Sequence, residues 1–390
     1  MLSLGPTPLA NALLDDDAQA DEPVYPLDVK LCPVCSLVQI DVAASPEQLF
    51  SDYVYRTSYS ETMVRHASDL AQRLVVQRGL GSSSLVVEAA SNDGYLLRAY
   101  RDAGVPVLGI EPAANVAAAA QAEGIETRTA FFTDAFAQDL AGEGLAADVF
   151  HAHNVLAHVP DLNGFVSGIR IALAADGVAV IETPYLKDLL DGCEFDTIYH
   201  EHLSYFSLTA LEHCFRRSSL ALVDVERVPV HGGSLRVFVA HAPAPPSARV
   251  RALLAEESEW GVAHEGPYRR FADRVRRLRD DLTGRLGRLR AEGRRIAAYG
   301  ASAKGTTLLT YCGIGRETLD FVVDRSPHKQ GRFMPGSRLP IYPTERLVED
   351  MPDYTLLLAW NFAGEIIGQQ AEYRRRGGRF IVPIPELRVV

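Results

Sequence analysis

The sequence predicts an α/β protein: two Rossmann-like units with doubly wound parallel sheets, preceded by a small lobe of another kind. Three observations predict this. Apolar extended runs at 85–90, 107–111, 147–154 and 178–183 alternate with Ala- and Leu-rich helical stretches, the rhythm of a parallel sheet with crossover helices. The same rhythm resumes at 296–299, 321–324, 356–360 and 380–383. Residues 1–60, by contrast, are short segments broken by Pro6, Pro8, Pro23, Pro26 and Pro33, with CPVC at 32–35. A chain of 390 residues exceeds one hydrophobic core. The expected division is 1–60, 61–245 and 246–390.

In chain order, the irregular lobe leads to a helix between Ser60 and Gly79, where Met63, Leu70 and Leu74 recur at helical spacing until Gly81 and three serines stop the pattern. The four strands of the central sheet follow. Runs at 220–230 and 234–241, separated by His231, Gly232 and Gly233, read as an antiparallel pair closing its edge. Residues 246–295 form an Arg-rich bridging helical region, with Phe271, Val275, Leu278, Leu282, Leu286 and Leu289 spaced for one buried face. Its arginines alternate with Asp273, Asp280, Asp281 and Glu292, the pattern of a solvated face rather than a phosphate clamp. A second Rossmann-like unit ends the chain.

Composition narrows the function. The formal net charge of −11 disfavours a nucleic-acid or acidic-membrane partner and suits a small ligand. There is no apolar run of the ~18 residues a membrane helix needs, and MLSLGPTPLANALL lacks a basic signal-peptide start, so the expected location is cytoplasmic. Five cysteines are too few and scattered for a disulfide framework; only Cys32 and Cys35 form a pattern.

Chemistry concentrates at EFDTIYHEHLSYFS, residues 194–207, where Tyr199, His200, Glu201 and His202 stand in succession. Imidazole titrates near neutral pH and accepts protons from carbon or oxygen, and a neighbouring carboxylate or phenol can set its tautomer. The alternatives are a solvated polar loop, or a metal pair from histidines at i and i+2.

The segment LVVEAASNDGYLL ends a strand at Glu88 and turns through Asn92, Asp93 and Gly94 into a helix. It lacks GxGxxG, and its acids would repel a pyrophosphate, which favours S-adenosylmethionine (SAM) over NAD. Glu111 ends the next strand, where a carboxylate can accept from both ribose hydroxyls. The bland alternative is an ordinary turn after a strand-end glutamate. In HAHNVLAHVPD, Asn154 would border the adenosyl group and His158 the donor methyl, while His151 and His153 lie along a strand. Lys304 in GASAKG follows a strand at a helix start, a place for an anionic group, with a surface lysine as the alternative. Asp324 and Asn361 follow strands of the same unit.

Together PLANALL (8–14), CPVCSLVQ (32–39), SDYVYRTSYS (51–60), VEAASNDGYLL (87–97), GIEPAANVA (109–117), HNVLAHVPDL (153–162), IYHEHLSYFS (198–207), GGSLRVF (232–238), YGASAKG (299–305) and LAWNF (358–362) give a resemblance over nearly the full chain. The chain resembles the sugar C-methyltransferases that methylate C-3′ of nucleotide-linked 4-keto-deoxysugars for antibiotic glycosides. The resemblance implies an N-terminal zinc-binding lobe, a central SAM domain and a C-terminal Rossmann-like domain that helps hold the sugar nucleotide. It makes His202 the base, lines the sugar pocket with His158, Tyr199, Glu201 and Tyr53, and brings Pro112 to the cofactor and Ser302 to the substrate beside Lys304. Removal of the C-3 proton by His202 would give an enolate, Glu201 would stabilise the imidazolium, and His158 or Tyr199 would donate to the enolate oxygen. Two departures stand out. The family's first cysteine pair is not in this sequence, so Cys32 and Cys35 supply half of a four-thiolate zinc site; either the true start lies upstream or the lobe has lost its metal. Ala89 and Ala90 replace the usual Ile–Gly pair. The rival readings are methylation of another small metabolite on oxygen, nitrogen or carbon, and a two-Rossmann nucleotide-sugar oxidoreductase or binding protein, which the absent GxGxxG opposes.

Overall fold

The computed structural model describes residues 1–15, 22–41, 57–230 and 232–390. Tyr53 and His231 lie outside the described residues.

The N-terminal lobe is more regular than its prolines suggest. Strands β1 (Leu2–Pro8), β2 (Val24–Leu31) and β3 (Val38–Ile40) pair antiparallel. Proline cannot donate to a ladder and survives at edges and irregularities. Here Pro6 stands opposite Pro26, beside a register shift on the edge strand β1, and β3 pairs with β2 only from Val29 onward. Neither proline therefore interrupts a ladder that depends on it.

The central sheet contains β4 (Val86–Ala89), β5 (Val107–Ile110), β6 (Thr127–Arg128), β7 (Ala147–His153) and β8 (Leu173–Pro184). After β8, residues Ser204–Tyr205 form β9, which leaves this sheet and pairs with β3. Strands β10 (Leu220–Val228) and β11 (Ser234–His241) complete the order β10-β11-β8-β7-β4-β5-β6, in which β11 runs opposite to the other strands. The chain winds outward through β5 and β6, then returns to β7 on the other side of β4. The crevice at the carboxyl end of β4 is thus a switch point, where such sheets take ligands.

The Arg-rich region is two helices, Ala248–Trp260 and Glu265–Ala291. Gly261, at φ 90°, ends the first in the left-handed conformation that glycine adopts without steric cost. All six apolar residues spaced for one face are buried. The C-terminal sheet holds β12 (Ile296–Tyr299), β13 (Val322–Val323), β14 (Ile341–Tyr342), β15 (Tyr354–Leu357), β16 (Arg379–Val382) and β17 (Arg388–Val389). Its order, β14-β13-β12-β15-β16-β17, puts a second switch point at β12. No described helix is long and apolar enough to cross a membrane.

Packing ties the three parts together. One apolar cluster joins Leu27 and Val38 of the lobe, Leu189 of the helix Leu186–Asp191, Phe195 and Ile198 of the tyrosine–histidine stretch, and Leu282 and Leu308 beyond. Each such side chain contributes about 2 kcal/mol of burial. The loop with the densest acid–base chemistry is therefore held from all sides.

Candidate active site

The stretch opens with a tight turn at Phe195–Thr197 and closes with β9. Between them His202 Nδ1–H donates to the Thr197 carbonyl at 2.8 Å. A carbonyl can only accept, so this contact sets the tautomer and puts the lone pair on Nε2. That nitrogen lies 3.1 Å from the Tyr199 hydroxyl. The Tyr199 and His202 rings stack at 4.1 Å between centroids, with His158 4.8 Å from His202 on another side.

His158 Nδ1–H donates to the Glu201 carbonyl at 2.6 Å, and burial lowers its pKa, partly offset by that bond. Its Nε2 is accordingly an acceptor. The Glu201 carboxylate does not face His202. It accepts 2.7 and 2.9 Å bonds from Asn11 Nδ2, and burial pushes its pKa up to about 7 against the opposing pull of Asn11. Asn11, from PLANALL, is a site residue that sequence reasoning left without a role; the signal was an amide inside an otherwise apolar motif. His200 leaves the site altogether, donating to the Pro26 carbonyl at 3.1 Å with its ring edge-on to Tyr25. The two histidines of the metal-pair reading are thus committed to different carbonyls. Among the described residues, no group of three or more His, Cys, Asp and Glu is placed to hold a metal ion.

At the switch point, Glu88 is buried at the end of β4, and its carboxyl is held well above the usual range, first by desolvation and then by Glu111, Asp93 and Glu182. The following turn places Ala90, Asn92 and Gly94 at positive φ. At Gly94 a Cβ would stand 2.9 Å from Ile125 Cγ1, so the position has no room for a side chain. Glu111 braces the turn, accepting from the Asn92 and Ala113 amides at 2.9 Å each, with Pro112 between its two ties. Burial raises its pKa and those amides lower it. The Asn92 side chain accepts from the Thr57 amide at 2.9 Å, and Ser58 donates to Asp93. Asn154, at φ 57°, is anchored through its N–H to the Glu182 carbonyl at 2.8 Å. Three buried acceptors here have no partner among the described residues: Glu88 Oε2, Asp93 Oδ1 and Asn154 Oδ1. Unpaired buried acceptors are costly, so a ligand rich in donors and positive charge is the natural complement. SAM, with its ammonium, sulfonium and ribose hydroxyls, fits that donor demand. His151 and His153 lie outside this crevice: His151 contacts the Tyr100 hydroxyl at 2.8 Å and His153 at 3.0 Å.

In the C-terminal unit, Ser302 caps the helix Ala303–Cys312, its hydroxyl accepting from Gly305 N–H at 3.1 Å. Asp324 accepts from the Ala301 and Ser326 amides at 2.7 and 2.8 Å, and Asn361 is exposed in the turn Trp360–Phe362. Lys304 places its ammonium 4.7 Å from the centre of the Trp360 ring. Its charge also pulls down the pKa values of Asp196 and Glu194, which burial nevertheless raises to about 6 and about 7. Sequence reasoning missed Asp196, Glu194 and Trp360, because their proximity joins segments more than 150 residues apart.

CPVC folds as a tight knuckle, with Ser36 at φ 60° and its N–H on the Cys32 carbonyl at 3.0 Å. Amides of Cys35 and Val34 lower the Cys32 pKa, while burial raises that of Cys35. The two thiols fit half of a tetrahedral zinc site.

The open α/β sheet with acceptors at its switch point is the frame a SAM-dependent methyltransferase needs, and the relatives give the class. Family matches run along the chain: "Putative zinc binding domain" at 1–50, "Methyltransferase domain" at 59–225 and "C-methyltransferase C-terminal domain" at 229–385. The C-methyltransferase NovU of Streptomyces niveus is 42% identical over 393 residues, covering 100% of this chain and 94% of that protein. Solved structures are more distant. Magnesium protoporphyrin IX methyltransferase (ChlM) from Synechocystis PCC 6803 with bound SAH gives TM-score 0.38 at 14% identity, over 50% of this chain and 92% of that one. An S-adenosylmethionine-dependent methyltransferase from Clostridium acetobutylicum ATCC 824 gives 0.36 at 10%, over 46% and 92%. Likenesses this slight bear no functional weight. The chain belongs to the SAM-dependent C-methyltransferase family.

Proposed function

We propose that this enzyme methylates C-3′ of a nucleotide-linked 4-keto-deoxysugar on the way to an antibiotic glycoside. The observation that carries the reading is the fixed tautomer of His202, whose Nε2 lone pair points at the Tyr199 hydroxyl. A carbon next to a ketone is acidic because its anion is an enolate, and a positioned neutral imidazole is the base suited to remove that proton. Bound SAM supplies the electrophilic methyl. Glu88, Asp93, Asn154 and the Asn92–Gly94 turn hold it, with Glu111 and Pro112 at its ribose side.

When the sugar enters, Tyr199 O–H turns from His202 to the C-4 oxygen, freeing Nε2 to take the C-3 proton. Donation to a developing oxyanion in a water-poor site lowers the barrier by about 3 kcal/mol. His158 departs from its expected alternative role, because its Nδ1 proton is spent on the Glu201 carbonyl and its Nε2 can only accept. It suits a sugar hydroxyl. Glu201 acts through Asn11, which connects the N-terminal lobe to the pocket, rather than through the imidazolium. Lys304, Ser302, Asp324 and Asn361 mark the crevice of the C-terminal unit for the nucleotide diphosphate. Residues 1–60, 61–245 and 246–390 then divide the work among lobe, cofactor domain and sugar-nucleotide domain.

The test is incubation with methyl-labelled SAM and a TDP-4-keto-2,6-dideoxyhexose, locating the new methyl by carbon NMR. Label on a quaternary C-3 supports the reading. Label on oxygen, or SAM binding with the sugar untouched, removes it.

A further inference from the structure

The Thr197 carbonyl, which holds the His202 tautomer, is flanked by two residues that the C-terminal unit grips. On one side the Trp360 indole N–H donates to Asp196 Oδ2 at 2.6 Å. On the other, the Thr307 hydroxyl donates to the Ile198 carbonyl at 3.2 Å. Asp196 is fully buried, and its second carboxylate oxygen has no partner among the described residues; the indole bond holds the first oxygen, with the Lys304 charge also acting on the carboxylate. Thr306, the neighbour of Thr307, donates to the Ala10 carbonyl at 2.9 Å, next to the Asn11 that engages Glu201. The helix Ala303–Cys312 and the turn Trp360–Phe362 therefore clamp the base loop from outside the cofactor domain.

We infer that Trp360, Asp196 and Thr307 are positioning residues for the base: they fix the Thr197 carbonyl so that His202 presents Nε2, and they connect that orientation to the C-terminal crevice through Trp360 and Lys304. The inference rests on the reading of His202 as the base. Its chemistry is direct. An imidazole whose Nδ1–H loses its acceptor is free to rotate or to exchange tautomers, and a base misplaced by about 1 Å costs on the order of 100-fold in rate. The location is also suggestive, since Trp360 and Lys304 stand at the carboxyl ends of β15 and β12, at the second switch point.

Trp360→Phe keeps an aromatic face for Lys304 and removes the N–H donor together with part of the indole's volume. The expected result is a 10- to 100-fold fall in kcat and in C-3 proton exchange, with SAM affinity unchanged. Nitrogen NMR of the His202 ring, assigned by its loss in His202→Ala, should show a mixture of tautomers in place of one. Asp196→Asn retains an acceptor oxygen and should stay within about threefold of wild type, while Asp196→Ala should fall with Trp360→Phe. Thr307→Val provides a milder version that leaves the Trp360 contact intact. A wild-type tautomer and wild-type exchange in Trp360→Phe overturn the inference. A scrambled tautomer with full exchange instead removes His202 as the base and leaves the positioning intact, so the two failures are distinct.

Discussion

The central and C-terminal units use the same brace to opposite ends. In each, a carboxylate just after the second strand joins the loop after the first strand to its own loop: Glu111 accepts from Asn92 and from Ala113, and Asp324 from Ala301 and from Ser326. The loops they shape differ in charge. Glu88 at the end of β4 and Asp93 in the turn after it carry unpartnered oxygens; after β12 come the Ser302 cap and Lys304 at a helix start. On the proposed reading, one crevice takes a cation with donors and the other an anion. The lesson is that a shared frame fixes where a ligand sits and the turn residues fix what it is.

The sharpest way to break the comparison is between the crevices, at the base. His202→Ala should lose about 10³-fold or more in both methyl transfer and C-3 proton exchange, measured by deuterium washout, while calorimetry shows unchanged SAM binding. If washout persists, the proton leaves by another route. Next, Glu88→Gln should weaken SAM about 10- to 100-fold and leave sugar-nucleotide affinity alone. Because the Glu88 carboxyl is held above its usual range and only its ionised form attracts a cation, SAM affinity should rise with pH in the wild type and flatten in the variant. Lys304→Ala is the mirror experiment: about a tenfold loss in sugar-nucleotide affinity with SAM unaffected. Loss of both ligands together would mean that the crevices are not separable.

The smallest effect concerns the buried carboxyls of the base loop. Glu201 and Glu194 titrate near 7 and Asp196 near 6, all raised by burial. The folded state thus binds more protons than the unfolded chain between about pH 4 and 7, and stability falls as pH rises through that window. Glu201→Gln keeps an acceptor for Asn11 and removes one of the three titrations. Its melting temperature should decline less between pH 5 and pH 7 than that of the wild type, by about 2 °C. An identical slope in both proteins would show that Glu201 is ionised throughout.

Much of the fold was legible because its signals are local. Strands β4, β5, β7 and β12 are apolar runs between turn residues, and the buried stripe of the long helix, from Phe271 to Leu289, follows directly from its spacing. The misreadings came where geometry outweighs propensity. Prolines made the lobe look irregular, yet an edge strand with a register shift accommodates them. The Arg-rich region looked continuous, yet Gly261 reverses its backbone.

The stretch at 194–207 was conspicuous by its density of titratable groups, but its division of labour was not. Tyr199 and His202 face each other, Glu201 turns to Asn11, and His200 anchors the lobe at Pro26. The assignments of Glu201 and His200 depend on partners 190 and 174 positions away in the chain.

By itself, then, the sequence determined the two Rossmann-like units, the turn at Glu88–Gly94 and the family, since periodicity and short motifs are written in neighbouring positions. Only the tertiary structure decided the His202 tautomer, the partner of Glu201 and the grip of Trp360 on Asp196. The last two are hydrogen bonds between distant segments; the first spans five positions, but it forms only because the folded loop brings the Thr197 carbonyl within about 3 Å of His202 Nδ1.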